Sequence, residues 1–204
     1  MEQNLNTDIL HELLNIGFAH AADALSMILF EGVLMQQLDF SGDVSKMRAS
    51  NPEGNMIVLK TSLMGDLSGV SYLYFSEQQA KMIFDRCLPP WDGTNKEARV
   101  EMEKAILLEI DNMVAASVVT KLSNLLGVTL YGDVPHISVY TSSDFDTFLK
   151  QEQDKYPALS AYSFFRPLKL QNFQPGFTWF FGKDFTDKVA ELANSEKHMS
   201  LISK

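Results

Sequence analysis

Leu107-Leu108-Glu109-Ile110-Asp111-Asn112-Met113-Val114 lies at the centre of the stretch Glu101 to Pro135, and an earlier segment copies it. The earlier segment reads Glu12-Leu13-Leu14-Asn15-Ile16-Gly17. Both hold Glu-x-x-Asn, and in both a Leu-Ser pair, Leu25-Ser26 or Leu122-Ser123, begins ten residues after the Asn. A spacing of three puts Glu and Asn on neighbouring rungs of one helical face, roughly 5–6 Å apart at Cβ. Continued along the helix, that face takes in Ala19, Ala22 and Ser26 in the first copy, and Ala116, Val119 and Ser123 in the second. A carboxylate and an amide above a stripe of mostly small residues imply a surface that another protein can approach closely.

Composition bounds the rest. At 204 residues with 46% hydrophobic content, the chain can bury a substantial core. A formal charge of −9 argues against a nucleic-acid surface, which needs clustered Lys and Arg. The single cysteine, Cys87, excludes an intramolecular disulfide and a Cys-rich metal site. No apolar run approaches the roughly 20 residues that span a bilayer, and Met1-Glu2-Gln3-Asn4 lacks a basic secretory start. The expectation is a soluble cytoplasmic protein with neither a membrane nor a nucleic-acid partner.

In chain order, Thr7 or Asn6 is expected to cap a first helix whose apolar spacing runs from Leu10 to Ile28 and which ends at Glu31-Gly32. A strand is expected at Val33 to Phe40, and a turn-rich loop from Gly42 to Asn55. Met56–Leu63 and Val70–Phe75 read as a hairpin, and Ser76 with Gln79 as a capping box opening a helix to about Leu88. Pro89-Pro90-Trp91-Asp92-Gly93-Thr94 breaks the chain between the two copies. The second long helix spans Glu97 to Leu126 and stops at Gly127, with strands expected at Thr129–Val134 and His136–Tyr140. Ser142 to Tyr156 reads as a short helix or loop that the first copy lacks. Leu159–Leu170 and Phe177–Phe181 repeat the hairpin, Asp184 opens a closing helix, and the tail after Asn194 is expected to fray. Asn15 and Asn112 lie 97 residues apart and Gly69 and Gly176 lie 107 apart, so the second copy carries an insertion of about ten residues.

Other chemistry is weakly signalled. His11 and His20 are not at metal-ligand spacing and His136 stands alone, so no metal site is expected. Cys87 has no evident base, and neither Gly-x-Ser-x-Gly nor a P-loop occurs. Phe164, Phe165, Trp179, Phe180 and Phe181 read as core-facing strand residues.

At the duplicated motif the chain resembles the CheC/CheX/FliY family of chemotaxis phosphatases. Their signature is Asp or Ser, three residues, Glu, two residues, Asn, 22 residues, then Pro. Asp8, Glu12 and Asn15 match its first part, with Leu38 where Pro falls. Glu109, Asn112 and Pro135 match in the second copy, with Ala105 in place of Asp or Ser. The resemblance covers both halves. It implies an α+β, pseudo-symmetric duplicated fold with two long helices packed on a mixed β-sheet. The chain 1–204 would be a single CheC-like domain of two intertwined copies, about 5–88 and 97–195. It further implies a phosphatase acting on the aspartyl phosphate of a CheY-like receiver domain. Asn15 and Asn112 would orient the attacking water, and Glu12 and Glu109 would pair with a receiver lysine. Asp8 and Pro135 would shape the two sites. No cofactor of the chain's own is expected, the Mg²⁺ being held by the receiver. The alternative is a non-catalytic adaptor that binds a receiver, a CheD-like deamidase or a flagellar switch component. Asp111 is expected to add a carboxylate beside the phosphate face, and Leu38 to leave its loop more adaptable than the Pro135 loop.

Overall fold

The computed structural model describes residues 2–36, 38–40, 42–43, 46–47 and 54–194. Two long helices, α1 (Glu2–Leu29) and α3 (Lys96–Leu126), pack on each other and on one face of a seven-stranded sheet. Along the sheet the order is β1 (Val33–Met35), β6 (Leu159–Pro167), β7 (Gly176–Phe181), β3 (Gly69–Ser76), β2 (Asn55–Gly65) and β4 (Leu130–Gly132). The seventh strand, β5 (His136–Thr141), pairs with the other end of β2. Helices α2 (Glu77–Cys87) and α5 (Lys183–Ala193) follow the two hairpins, and α4 (Ser142–Lys155) fills the expected insertion as a full helix. The architecture is α+β. Every strand pair is antiparallel, so the sheet is not mixed. Each long helix feeds its short strand onto the outside of the other half's hairpin, and no parallel crossover arises among the described residues.

That exchange keeps one register. Val33 pairs with Pro167, and Leu130, 97 residues later, pairs with Gly65. Gln36 N donates to Phe164 O, and Asp133 N, again 97 later, donates to Ser62 O. The expected strand Val33–Phe40 is interrupted after Met35 and resumes only as a bridge between Asp39 and Tyr162. Its counterpart resumes as the full strand β5.

Alternation along the strands divides the core between the two faces. Leu59, Leu63, Leu73, Phe75, Phe177, Trp179 and Phe181 face the helices α1, α2, α3 and α5. Met56, Val58, Val70, Tyr72, Tyr74 and Phe180 face the other way and are covered by Phe145 and Leu149 of α4. Strands β3 and β7 are buried throughout because both faces are covered. Glycines appear where aromatics need room. A Cβ on Gly176 would lie 2.1 Å from the ring of Tyr74, its cross-strand partner.

Helix ends explain several sequence signals and correct others. The Ser76–Gln79 capping box is present at α2, and α3 stops at Gly127 in the left-handed conformation. Helix α1, however, begins at Glu2, so Thr7 and Asn6 are interior rather than caps, and Asp8 lies in the second turn. Glu2, Gln3 and Leu5 are good helix formers, which extends the helix backwards past the polar pair. At its other end the left-handed residue is Phe30 (φ 53°), not Gly32. Glu31 N then reaches Ser26 O, as Val128 N reaches Ser123 O after Gly127. The repeated Leu-Ser pair therefore closes both helices. Leu25 and Leu122 are buried, Ser26 Oγ accepts from Val33 N, and Ser123 Oγ donates to Val128 O. The expected loop Gly42–Asn55 lies mostly outside the described residues, and the tail after Asn194 lies wholly outside them.

Phe30 and Gly127 occupy equivalent left-handed positions, which is costly for a residue bearing Cβ. Gly127→Ala is expected to destabilise the fold by about 1 kcal/mol, and Phe30→Gly to stabilise it by a similar amount, since the Phe30 side chain is exposed. Chemical denaturation of the two variants checks this, and a loss of stability in Phe30→Gly would contradict it.

Candidate functional site

The turn of α3 that carries the motif is fixed from beneath. Leu107, Ile110, Asp111 and Val114 are buried, which turns Glu109 and Asn112 outward as exposed neighbours. Opposite them stands the corner between β4 and β5. Its backbone is held by Asp133 N to Ser62 O (2.9 Å) and by Val134 N to Asp133 Oδ1 (2.7 Å). His136 Nδ1 lies 2.8 Å from Val134 O, and Pro135 supplies its fixed φ. Together Ala105, Leu108, Glu109, Asn112, Gly132, Asp133, Val134 and Pro135 line a shallow, open depression of about 470 Å³. Three of the proposed residues, Glu109, Asn112 and Pro135, thus meet in one place, although Asn112 and Pro135 are 23 residues apart. Gly132, Asp133 and Val134 complete the site. The sequence signal that could have found them is their place between a short strand and a proline.

The first copy stands on different ground. Glu12 is exposed, Asn15 is half-buried, and Asp8 is exposed one turn earlier on α1. Where the second site has Gly132, the first has half-buried Met35, which packs against the core. The His11 ring, in the place of Leu108, meets the edge of Phe40 with centroids 4.2 Å apart. Leu38, in the place of Pro135, is buried in the core. Burial thus anchors the Leu38 position, contrary to the expectation of a more adaptable loop. The two sites differ instead in what fills them. Residue 37, the counterpart of Val134, lies outside the described residues.

Two further expectations fail in an informative way. The stripe of small residues is not a continuous surface. Ala19 and Ala116 are exposed, but Ala22 and Val119 are buried as the row drifts into the packed helix pair, and Ser26 and Ser123 are committed to the helix ends. Close approach occurs instead on the buried faces of the two helices, off this row, where a Cβ on Gly17 would lie 3.2 Å from Val118. Nor does Asp111 add charge to the exposed face that carries Glu109 and Asn112, where a phosphate was expected. Its side chain is fully buried, its Oδ2 accepts from the Thr61 hydroxyl at 2.7 Å, and its Oδ1 has no partner. The cause is phase: one residue before Asn112, Asp111 points to the sheet rather than to solvent.

Elsewhere, the Cys87 thiol contacts Ile28 O and is pushed up by burial, as an inert helical cysteine would be. Among the described residues no group of three His, Cys, Asp or Glu side chains could hold a metal ion, and no helix is long and apolar enough to cross a membrane.

No protein-family model matches the chain, and no curated protein matches it in sequence. Solved structures do. FliY from Thermotoga maritima superposes with a TM-score of 0.65 at 21% identity, over 93% of this chain and 96% of that one. A chain of the CheX–CheY–BeF3–Mg²⁺ complex from Borrelia burgdorferi gives 0.58 at 15% identity, over 83% and 97%. A chain of the FliG–FliM complex from Helicobacter pylori gives 0.52 at 9% identity, over 91% and 97%. The fold is the one shared by the CheC/CheX/FliY proteins.

Burial raises the Asp111 pKa to about 7, and the Thr61 hydrogen bond only partly opposes this. The folded state therefore holds this proton more tightly than the unfolded state does. The corresponding stability is fully present below about pH 4 and is lost as pH rises towards 7, by an amount on the order of a few kcal/mol. Asp111→Asn is expected to flatten that slope and to raise the melting temperature at pH 8 much more than at pH 5. Thermal melts across pH 4–8 check this, and identical slopes in parent and variant would contradict it.

Proposed function

We propose that the chain binds a phosphorylated CheY-like receiver domain and accelerates hydrolysis of its aspartyl phosphate, acting as a protein phosphatase. The observation that carries this reading is the open depression in which Glu109 and Asn112 stand side by side against the Gly132–Pro135 corner. A shallow exposed surface suits another protein's active site better than it suits a free small molecule, for which enclosing clefts are the rule. The fold shared with a CheX protein found in complex with CheY supports the same partner.

The chemistry asks little of such a surface. An acyl phosphate is already reactive, and a Mg²⁺ held by the receiver would neutralise charge on the phosphoryl oxygens. Water attacks phosphorus in line, the bond from phosphorus to the aspartyl oxygen breaks, and the products are the receiver carboxylate and inorganic phosphate, which retains the water's protons. Asn112 holds the water in line, its neutral amide binding water without repelling the phosphate. Glu109 pairs with a receiver lysine and fixes the docking geometry. Each tenfold acceleration corresponds to about 1.4 kcal/mol of transition-state stabilisation, within reach of positioning alone.

A second reading, a non-catalytic adaptor within a flagellar switch, is favoured by the likeness to a chain of the FliG–FliM complex. Receiver binding without faster phosphate loss would select it.

With purified phosphorylated receiver, Asn112→Ala is expected to slow single-turnover dephosphorylation by about ten- to a hundredfold with little change in affinity, since its interaction is made mainly at the transition state. Glu109→Ala is expected chiefly to weaken association at low ionic strength, as a screened ion pair would. An unchanged rate in the first variant, or unchanged low-salt affinity in the second, would remove that residue from its role. The open second site should also outweigh the first. Glu109→Ala with Asn112→Ala is expected to cost more activity than Glu12→Ala with Asn15→Ala, and the reverse order would overturn the ranking.

A further inference from the structure

Beneath the second site lies a polar contact that the first lacks. Asp111 in α3 is fully buried, with Oδ2 2.7 Å from the hydroxyl of Thr61 and Oδ1 unpartnered. At the equivalent place in α1 stands Leu14, also fully buried. Both packing solutions are therefore open to this fold, and the apolar one avoids taking a carboxylate out of water. Thr61 is itself buried in β2 and serves two sides at once. Its hydroxyl holds Asp111, while its Cγ2 would lie 2.9 Å from a Cβ on Gly132, the residue at the floor of the depression. One side chain thus stands between the helix that presents Glu109 and Asn112 and the strand end that faces them, bonded to the first and leaving no room for a Cβ on the second. A hydrogen bond is directional, whereas apolar contact is not, so this link opposes rotation of α3 about its own axis in a way that Leu14 cannot in α1.

We propose that Asp111, acting through Thr61, is a positioning residue that sets the rotation of the α3 turn and so the placement of Asn112 relative to the Gly132–Pro135 corner. The inference rests on the phosphatase reading for its catalytic consequence, but not for its structural one. Water placement is steep in distance: displacement by about 1 Å can cost on the order of a hundredfold in rate.

The test compares the parent with Asp111→Leu, Thr61→Val, their combination, and Asp111→Asn, which keeps an acceptor oxygen for the hydroxyl. Two readouts are taken from folded protein. In single-turnover dephosphorylation of a receiver, Asp111→Leu and Thr61→Val are each expected to lower the maximal rate about tenfold or more, with receiver affinity unchanged. The double variant should be no slower than either single one, and Asp111→Asn should retain most of the activity. In receiver-free ¹⁵N–¹H spectra, the Asn112 side-chain pair, assigned by its loss in Asn112→Ala, should shift or broaden in Thr61→Val, although Thr61 is remote in sequence. Parent-like rates in both single variants of an active phosphatase would overturn the proposal. If the parent does not accelerate dephosphorylation, the phosphatase reading fails and the spectra decide alone: an Asn112 pair unmoved by Thr61→Val overturns positioning, and a moved one sustains it.

Discussion

The pairing of β3 with β7 is the constraint on which the rest depends. These two strands are buried on both faces, from Gly69 opposite Phe181 to Tyr74 opposite Gly176. A strand so placed can carry no solvated side, and its aromatics must be accommodated across the seam, which is why Gly176 sits under Tyr74. Once this seam is fixed, the hairpin partners β2 and β6 follow on either side, and the short strands β4 and β1 are added beyond them. The long helices that precede those short strands must then lie together across one face. The site turn of α3 reaches the β4–β5 corner because helix and corner belong to the same exchanged arm.

The same motif on equivalent helices does not make the same surface. In the second copy Gly132 opens the floor, and the corner is pinned by backbone hydrogen bonds and Pro135. In the first copy Met35, Phe40 and Leu38 bring apolar bulk to the corresponding ground, and Asn15 is partly covered. A Glu and an Asn three residues apart specify a helical face; whether that face is accessible depends on residues more than 20 positions downstream.

Much of the fold was legible because its signals are local. The capping box at Ser76, the stop at Gly127, the proline break after Leu88 and the apolar periodicity of both long helices each act within a few residues. Of the strand aromatics, Phe165, Trp179, Phe180 and Phe181 are buried as their pattern implied, while Phe164 is only half-buried. What could not be read was pairing. Nothing in Val33–Met35 says that its partner is β6 rather than β2, so the sheet was expected to be mixed and is antiparallel. The polar pair and the proline that line the candidate site were legible for the same local reason. Gly132 could not be recognised as a floor, nor Asp111 as a buried ligand of Thr61, since both roles exist only once α3 has met a strand 50 residues away. The αL position at Phe30 carries no local signal either, because nearby Gly32 is the more obvious stop.

The exchange of strands between halves carries a consequence for synthesis. When β2 and β3 have left the ribosome, β3 has an open edge and two greasy faces, and the strand that closes it begins at Gly176. Roughly a hundred residues must still be made, which at about 5–20 residues per second takes on the order of 5–20 s. Throughout that interval the nascent chain offers other chains the template that β7 will later occupy. Such a protein assembles late and all at once, and its vulnerability to aggregation is set by the pace of translation across α3 and α4.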